Sequence, residues 1–377
     1  MILIITNAYK DENNQYENGF IHSRVVEYIK RGLHTEVFVL NPQKQKRNYI
    51  YEDVCVAVGD CDDLLRKIEE LPQATLCIHF ISDLICKTLK RVSERRNVVL
   101  FVHGVEALKW NERIFPGMFS SFKSVASFGK YIVSNIHMLP IIRDFLHSTN
   151  HNIVLITVSE WMRDIAEKNW KCKGKFQWNI IPNIIDSEIF KYEEKEPVMA
   201  KKILSIRPFT TGKYANDITI DCVRKLSDTS LFEEIMIKIV GKGPHYHRLT
   251  NVISNIPNVI LDNRFLNQKE IIEHHKEYGI FLCPTRQDAQ GVSMCEAMSS
   301  GLVPITLYNT AIPEFLPNDR RLICHNSTEM MNLIVYLIEH PDEYKELSRE
   351  CSSFIAEKCG YEATVKKEID LFLQLEG

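Results

Sequence analysis

Apolar and polar positions fall into two long series along this chain, each alternating short apolar runs with longer stretches of helical spacing. The first series predicts strands at 2–6 ("ILIIT"), 35–41, 74–81, 97–104, 153–160 and 179–186, with helices at 22–32, 62–71, 83–94 and 161–170. Runs that are apolar on both faces and separated by helices imply parallel β/α units covered by helices on both sides. The alternation breaks over 191–202 ("KYEEKEPVMAKK"), which is charged, contains Pro197 and has no period, and so reads as a linker. It restarts with strands at 203–207, 234–243, 258–265, 279–285 and 302–307. Helices are expected near 216–228, 245–254, 268–276, 292–300 and 328–338, and a helical tail follows from 341. The pattern predicts an α/β protein of two Rossmann-like doubly wound domains, 1–190 and 203–355, facing across a cleft. A last helix over 356–377 is expected to pack back on the first domain, and a ligand is expected near the C-terminal ends of both sheets.

Composition narrows the partners. The 377 residues carry a net charge of −3, which gives no electrostatic case for binding nucleic acid. The basic cluster "KQKR" at 44–47 reads either as a solvated loop or as a contact for an anionic lipid or substrate. The 11 cysteines are odd in number and contain no C-x-x-C, so neither a disulfide framework nor a zinc ribbon fits, and a reducing cytoplasm does. "MILIITNAY" reads as a first strand rather than a signal peptide, and no apolar run reaches the roughly 18 residues of a membrane span. Trp110, Phe115, Phe119 and Phe122 fit either core packing or an amphipathic segment that meets lipid at the inner face of a membrane. His245, His247, His274 and His275 have no acid or cysteine at ligand spacing, so no metal is expected.

The chemistry gathers at the strand ends of the second series. Arg207 ends one strand and Lys213 follows six residues on; "VGKGP" (240–244) follows the next, with Gly241 and Gly243 allowing close backbone approach. "PTRQDAQGVSMCE" (284–296) follows a third. A nucleoside diphosphate needs such a set: a guanidinium fork, an ammonium and a helix N-terminus for the phosphates, here the amides of Gly291, Val292 and Ser293. Glu296, one turn along the helix, can reach ribose hydroxyls, and Asp288, before the turn, can reach a sugar. With Arg and Lys neutralising the diphosphate, no cofactor or metal is called for.

The stretch "DAQGVSMCEAMSSGLVPI" (288–305) resembles the E-x7-E signature of retaining GT-B glycosyltransferases of family 4, the glycosyl transferases group 1. "HG" (103–104), "VSEWMRD" (158–164), "IIPNIIDSEIF" (180–190), "VGKGP" and "IPEFL" (312–316) follow in family order. The resemblance implies a hexosyltransferase that moves a sugar from a nucleotide-sugar, a UDP-sugar foremost, to a glycan, lipid-linked or protein-linked acceptor, as in the assembly of bacterial surface polysaccharide. It implies that Arg207 and Lys213 bind the diphosphate, Glu296 the ribose, and Asp288 with the 291–293 amides the sugar. It further implies that His103 approaches the sugar from the first domain, that Glu314 shapes the diphosphate loop, and that Glu160 and Asn183 line the cleft. Three departures stand out. Asp288 is one methylene shorter than the family's Glu, Lys213 comes one residue late, and a single Gly19 in "YENGFIHSR" (16–24) replaces a Gly-Gly loop on the acceptor side. A nicotinamide dehydrogenase is excluded, since "GKGPHY" lacks the third glycine of the dinucleotide motif. A sugar-nucleotide epimerase or an inactive partner subunit of another glycosyltransferase stays open.

Overall fold

The computed structural model describes residues 1–12, 18–117, 122–318 and 320–376. The chain divides into two compact units: 1–113, 126–184 and 361–377 form the first, and 114–125 and 185–360 form the second.

The first unit opens with β1 (Ile2–Thr6), α1 (Gly19–Lys30), β2 (Thr35–Leu40), β3 (Arg47–Tyr51), β4 (Val54–Gly59) and α2 (Cys61–Glu70). It continues with β5 (Thr75–His79), α3 (Asp83–Leu89), β6 (Asn97–Val102), α4 (Phe122–Ser148, whose first turn belongs to the second unit), β7 (Asn152–Thr157), α5 (Glu160–Trp170) and β8 (Gln177–Ile180). The sheet order is β3-β4-β2-β1-β5-β6-β7-β8, parallel except where β3 pairs antiparallel with β4. β1 and β5 are buried at every position, as runs apolar on both faces require.

The second unit contains β9 (Lys202–Ile206), α6 (Asn216–Ser227), β10 (Met236–Val240), α7 (Tyr246–Thr250), β11 (Val259–Asp262), α8 (Gln268–Glu277), β12 (Ile280–Leu282), α9 (Val292–Ser299), β13 (Val303–Ile305), α10 (Ser327–Glu339) and α11 (Pro341–Cys359). Its sheet is all parallel, in the order β11-β10-β9-β12-β13. A last helix, α12 (Val365–Glu376), belongs to the first unit, where Ile369 and Phe372 join the core against α1.

One expectation is corrected. Residues 191–202 are no linker: they lie inside the second unit, where Lys195 is buried and its Nζ donates to the His275 carbonyl at 2.7 Å near the end of α8. A cation there meets the negative end of the helix dipole, so a charged stretch can be integral to the fold. The "KQKR" cluster is solvated, as one of its two readings had it: residues 44–47 are exposed, and 44–46 lie in no regular element. Arg47 starts β3, and Lys46 sits 2.7 Å from Asp63 in the capping box that opens α2.

Candidate functional site

In the second unit the chain leaves β9 toward one side of the sheet and returns through β12 on the other. Such a switch point opens a crevice at the strand C-termini. Arg207 follows β9 directly and is 5% exposed. Its Nη1 donates to Ser293 Oγ at 2.9 Å, its guanidinium carbon lies 5.2 Å from the Tyr214 ring centroid, and its Nε is buried with no partner among the described residues. Lys213 sits in the turn Gly212–Tyr214 with Nζ 5.7 Å from the same ring.

The loop that carries Lys213 is fastened from the strand β12 side. Arg286 grips Asp217 with both Nη atoms (2.9 and 2.6 Å) and donates from Nη1 to the Gly212 carbonyl at 2.7 Å. The Arg286 amide (2.9 Å) and Thr285 Oγ1 (3.2 Å) both donate to the Lys213 carbonyl. At Gly241 a Cβ would lie 1.9 Å from the Arg207 carbonyl oxygen, so only glycine lets these two strand ends meet. Gly243 lies two residues on, and its carbonyl accepts from the Tyr246 amide at 3.1 Å as α7 begins.

The third strand end supplies an anion seat. Asp288 is tied to the 310–311 loop: its amide donates to Thr310 Oγ1 at 3.2 Å and its carbonyl accepts from the Ala311 amide at 3.3 Å. Gly291, at φ 75°, then turns the chain into α9 and caps it with no side chain. The Met294 and Cys295 amides return to the Gly291 carbonyl, which leaves the amides of Val292 and Ser293 at the uncapped end. One turn on, Glu296 is half-buried and burial pushes its carboxyl up to about 7. Among the described residues its carboxylate has no hydrogen-bond partner. Glu314 lies half-buried in the turn Ile312–Phe315, whose Ile312 packs at Gly291. This arrangement concentrates positive charge and free amides beside an acid with unused acceptor capacity, as a phosphate next to a polyol requires.

The first unit has its own switch point between β1 and β5. Gly19 starts α1 there, and Tyr16 and Glu17 of the expected loop lie outside the described residues. His103 follows β6; its Nε2 is 2.9 Å from His79 Nδ1 and its ring packs against both Phe20 and Phe80, with centroids at 4.9 and 4.6 Å. Burial, then the Arg24 charge, pushes His103 down to about 3, so its ring is neutral. Asn183, expected along a cleft wall, is buried: its Oδ1 accepts from Arg24 Nη1 at 2.9 Å. Glu160 is exposed at the start of α5, 3.9 Å from Arg163. Trp110 and Phe115 are half-buried, and Phe119 and the Phe122 side chain lie outside the described residues.

Residues 200–340 match the family described as Glycosyl transferases group 1. Sulfoquinovosyl transferase SQD2 of Arabidopsis thaliana is 23% identical over 141 residues; the aligned part is 36% of this chain and 27% of that protein, about a quarter of the relative's length. Solved structures share the fold. A glycosyltransferase from Rickettsia africae has a TM-score of 0.70 at 14% identity, covering 99% of this chain and 98% of that one. Sucrose-phosphate synthase from Thermosynechococcus elongatus has a TM-score of 0.69 at 11% identity, covering 100% and 99%. TarM of S. aureus has 0.58 at 16%, covering 82% of this chain and 58% of its own. The fold is GT-B, with two Rossmann-like units.

The second unit holds ten of the residues that the sequence singled out, all within the stretch that matches the family model: Arg207, Lys213, Gly241, Gly243, Asp288, Gly291, Val292, Ser293, Glu296 and Glu314. Sequence reasoning missed the Arg286–Asp217 clamp, whose partners are 69 residues apart. It also missed the contribution of His79 and Arg24 to the setting of His103. The one available signal was Arg286 itself, a cation inside the motif "PTRQDAQ" with no assigned task.

Proposed function

We propose that this protein is a retaining glycosyltransferase that moves a sugar from a UDP-sugar to a hydroxyl of a glycan, lipid-linked or protein-linked acceptor, without a metal. The observation that carries the reading is Arg207 bonded to Ser293 at the uncapped start of α9, one turn from the unpartnered Glu296. In this reading the diphosphate lies against Arg207, Lys213 and the Val292 and Ser293 amides, and Glu296 accepts from the ribose. The bond from the sugar's anomeric carbon to phosphate breaks, and its electron pair stays on the phosphate oxygen. The acceptor oxygen bonds to the same face of the carbon, and its proton passes to the departing phosphate. The cations disperse the charge that develops on the leaving group. Two fold neighbours support the choice of donor: TarM has been solved in complex with UDP, and an E. coli trehalose-6-phosphate protein bound with UDP-2-fluoro glucose.

The test is a panel of UDP-, GDP- and ADP-sugars in thermal unfolding, followed by an assay of nucleotide release with and without added glycan acceptors. A matching donor at 100 times its Kd should raise Tm by about 5 °C. No shift and no nucleotide release with any donor would overturn the reading. Conversion of the sugar with no acceptor consumed would point to an epimerase instead.

A further inference from the structure

The outer side of α4 carries a row that nothing in the first unit covers. Ala126, Gly129, Val133, Ile136 and Pro140 are all exposed, at spacings of three and four that place them along one line of the helix. Val133 is 71% and Ile136 56% exposed, unusual for β-branched aliphatics in a helix with one buried side. Beside this row lies a groove of about 300 Å³ whose walls include Trp110, Ile136, Leu139 and Pro140. The same groove is lined by Lys109, Arg143, Lys168 and Lys171.

Charge decides what can sit here. No Asp or Glu occurs in the sequence between Glu112 and Asp144. Of the two acids that bound this stretch, Asp144 is exposed one turn beyond Pro140, and Glu112 is engaged: it accepts from the Lys109 amide at 2.9 Å and from Asn169 Nδ2 at 2.8 Å, and lies 3.9 Å from Lys168 Nζ. A second copy pairing through this row would set cations against cations, which opposes association. An anionic bilayer fits both features: aliphatic side chains enter the boundary of the acyl region and lysines and arginine meet lipid phosphates. We propose that the Ala126–Pro140 face of α4 and its cationic groove dock the protein on an anionic lipid bilayer. The inference does not depend on the proposed transferase activity.

The experiment is co-sedimentation of the full chain, with no donor or acceptor, on phosphatidylcholine vesicles with and without phosphatidylglycerol. The protein should bind the phosphatidylglycerol vesicles at least 10-fold more strongly, and less so as salt rises, because roughly 1 kcal/mol per surface cation is about fivefold each. V133D/I136D, altered only at exposed positions, should lose about 10-fold or more of that binding with Tm unchanged, and K109E/K171E should do the same. Absence of binding by the unaltered protein, or equal binding by V133D/I136D, overturns the proposal. So does equal binding to both vesicle types. A dimer in light scattering that V133D/I136D dissociates, without vesicle binding, would assign the face to self-association.

Discussion

Each unit buries an arginine, and the two are treated in opposite ways. Arg24 in the first unit is 1% exposed and its donors are matched: Nε to Glu368 Oε1 at 2.9 Å, Nη1 to the Phe20 carbonyl and Asn183 Oδ1, and Nη2 to the Pro182 carbonyl. Glu368 is also held by the Tyr28 hydroxyl. Arg207 in the second unit makes one side-chain bond and keeps a buried, unpartnered Nε, beside a helix end without a cap and an acid without a donor. A protein rarely leaves buried polar groups unmet. Arg24, with each of its three nitrogens bonded, is part of the architecture of its unit, whereas Arg207 keeps an unused donor beside the start of α9, where the proposed function puts the diphosphate.

That contrast can be broken by removing one partner at each place. The largest effect is expected in the first unit. E368A leaves a buried guanidinium uncompensated and should cost about 3–5 kcal/mol in chemical unfolding, with turnover per folded molecule nearly unchanged. If E368A unfolds like the unaltered protein, the network is not what holds α12. R207A should do the reverse: nucleotide release falls by about 10²-fold or more, while Tm moves little, because among the described residues the side chain makes a single hydrogen bond. A large fall in Tm with unaltered turnover would move Arg207 to the architectural class.

The smallest effect sharpens the comparison through pH. Burial raises the Glu296 carboxyl from 4.5 to about 7, so the folded protein keeps a proton that the unfolded chain gives up between those values. Stability from this group therefore falls as pH rises through that window and stays low above it. E296Q removes the cost, and Tm should rise by about 2 °C at pH 8 and not at pH 4.5. A difference of the same size at both pH values would mean that the carboxyl is not held protonated.

The two units also differ in how far the sequence discloses them. The parallel strands were legible because burial on both faces leaves a continuous apolar run, as in "ILIIT" and "NVVLFV". The site in the second unit was legible because its parts lie on three strand ends with recognisable turns. The β3–β4 hairpin was not. Its turn sits on Glu52 and Asp53, both at positive φ (44° and 64°), without the Asn or Gly that announces such a turn. α4 was hidden too, because Gly129, Pro140 and its uncovered row blur the one-sided pattern of an ordinary surface helix. The Arg24 network leaves no local trace, since its acid is 344 residues away.

That distance sets an order of assembly. The arginine emerges early from the ribosome, but its carboxylate partner emerges only after the whole second unit has been made, roughly 20–70 s later at ordinary translation rates. Through that interval the nascent first unit lacks its closing helix, and the later-made domain can be complete before the earlier one. A premature stop between residues 361 and 365 would therefore injure the beginning of the protein, by removing α12, and leave the second unit whole.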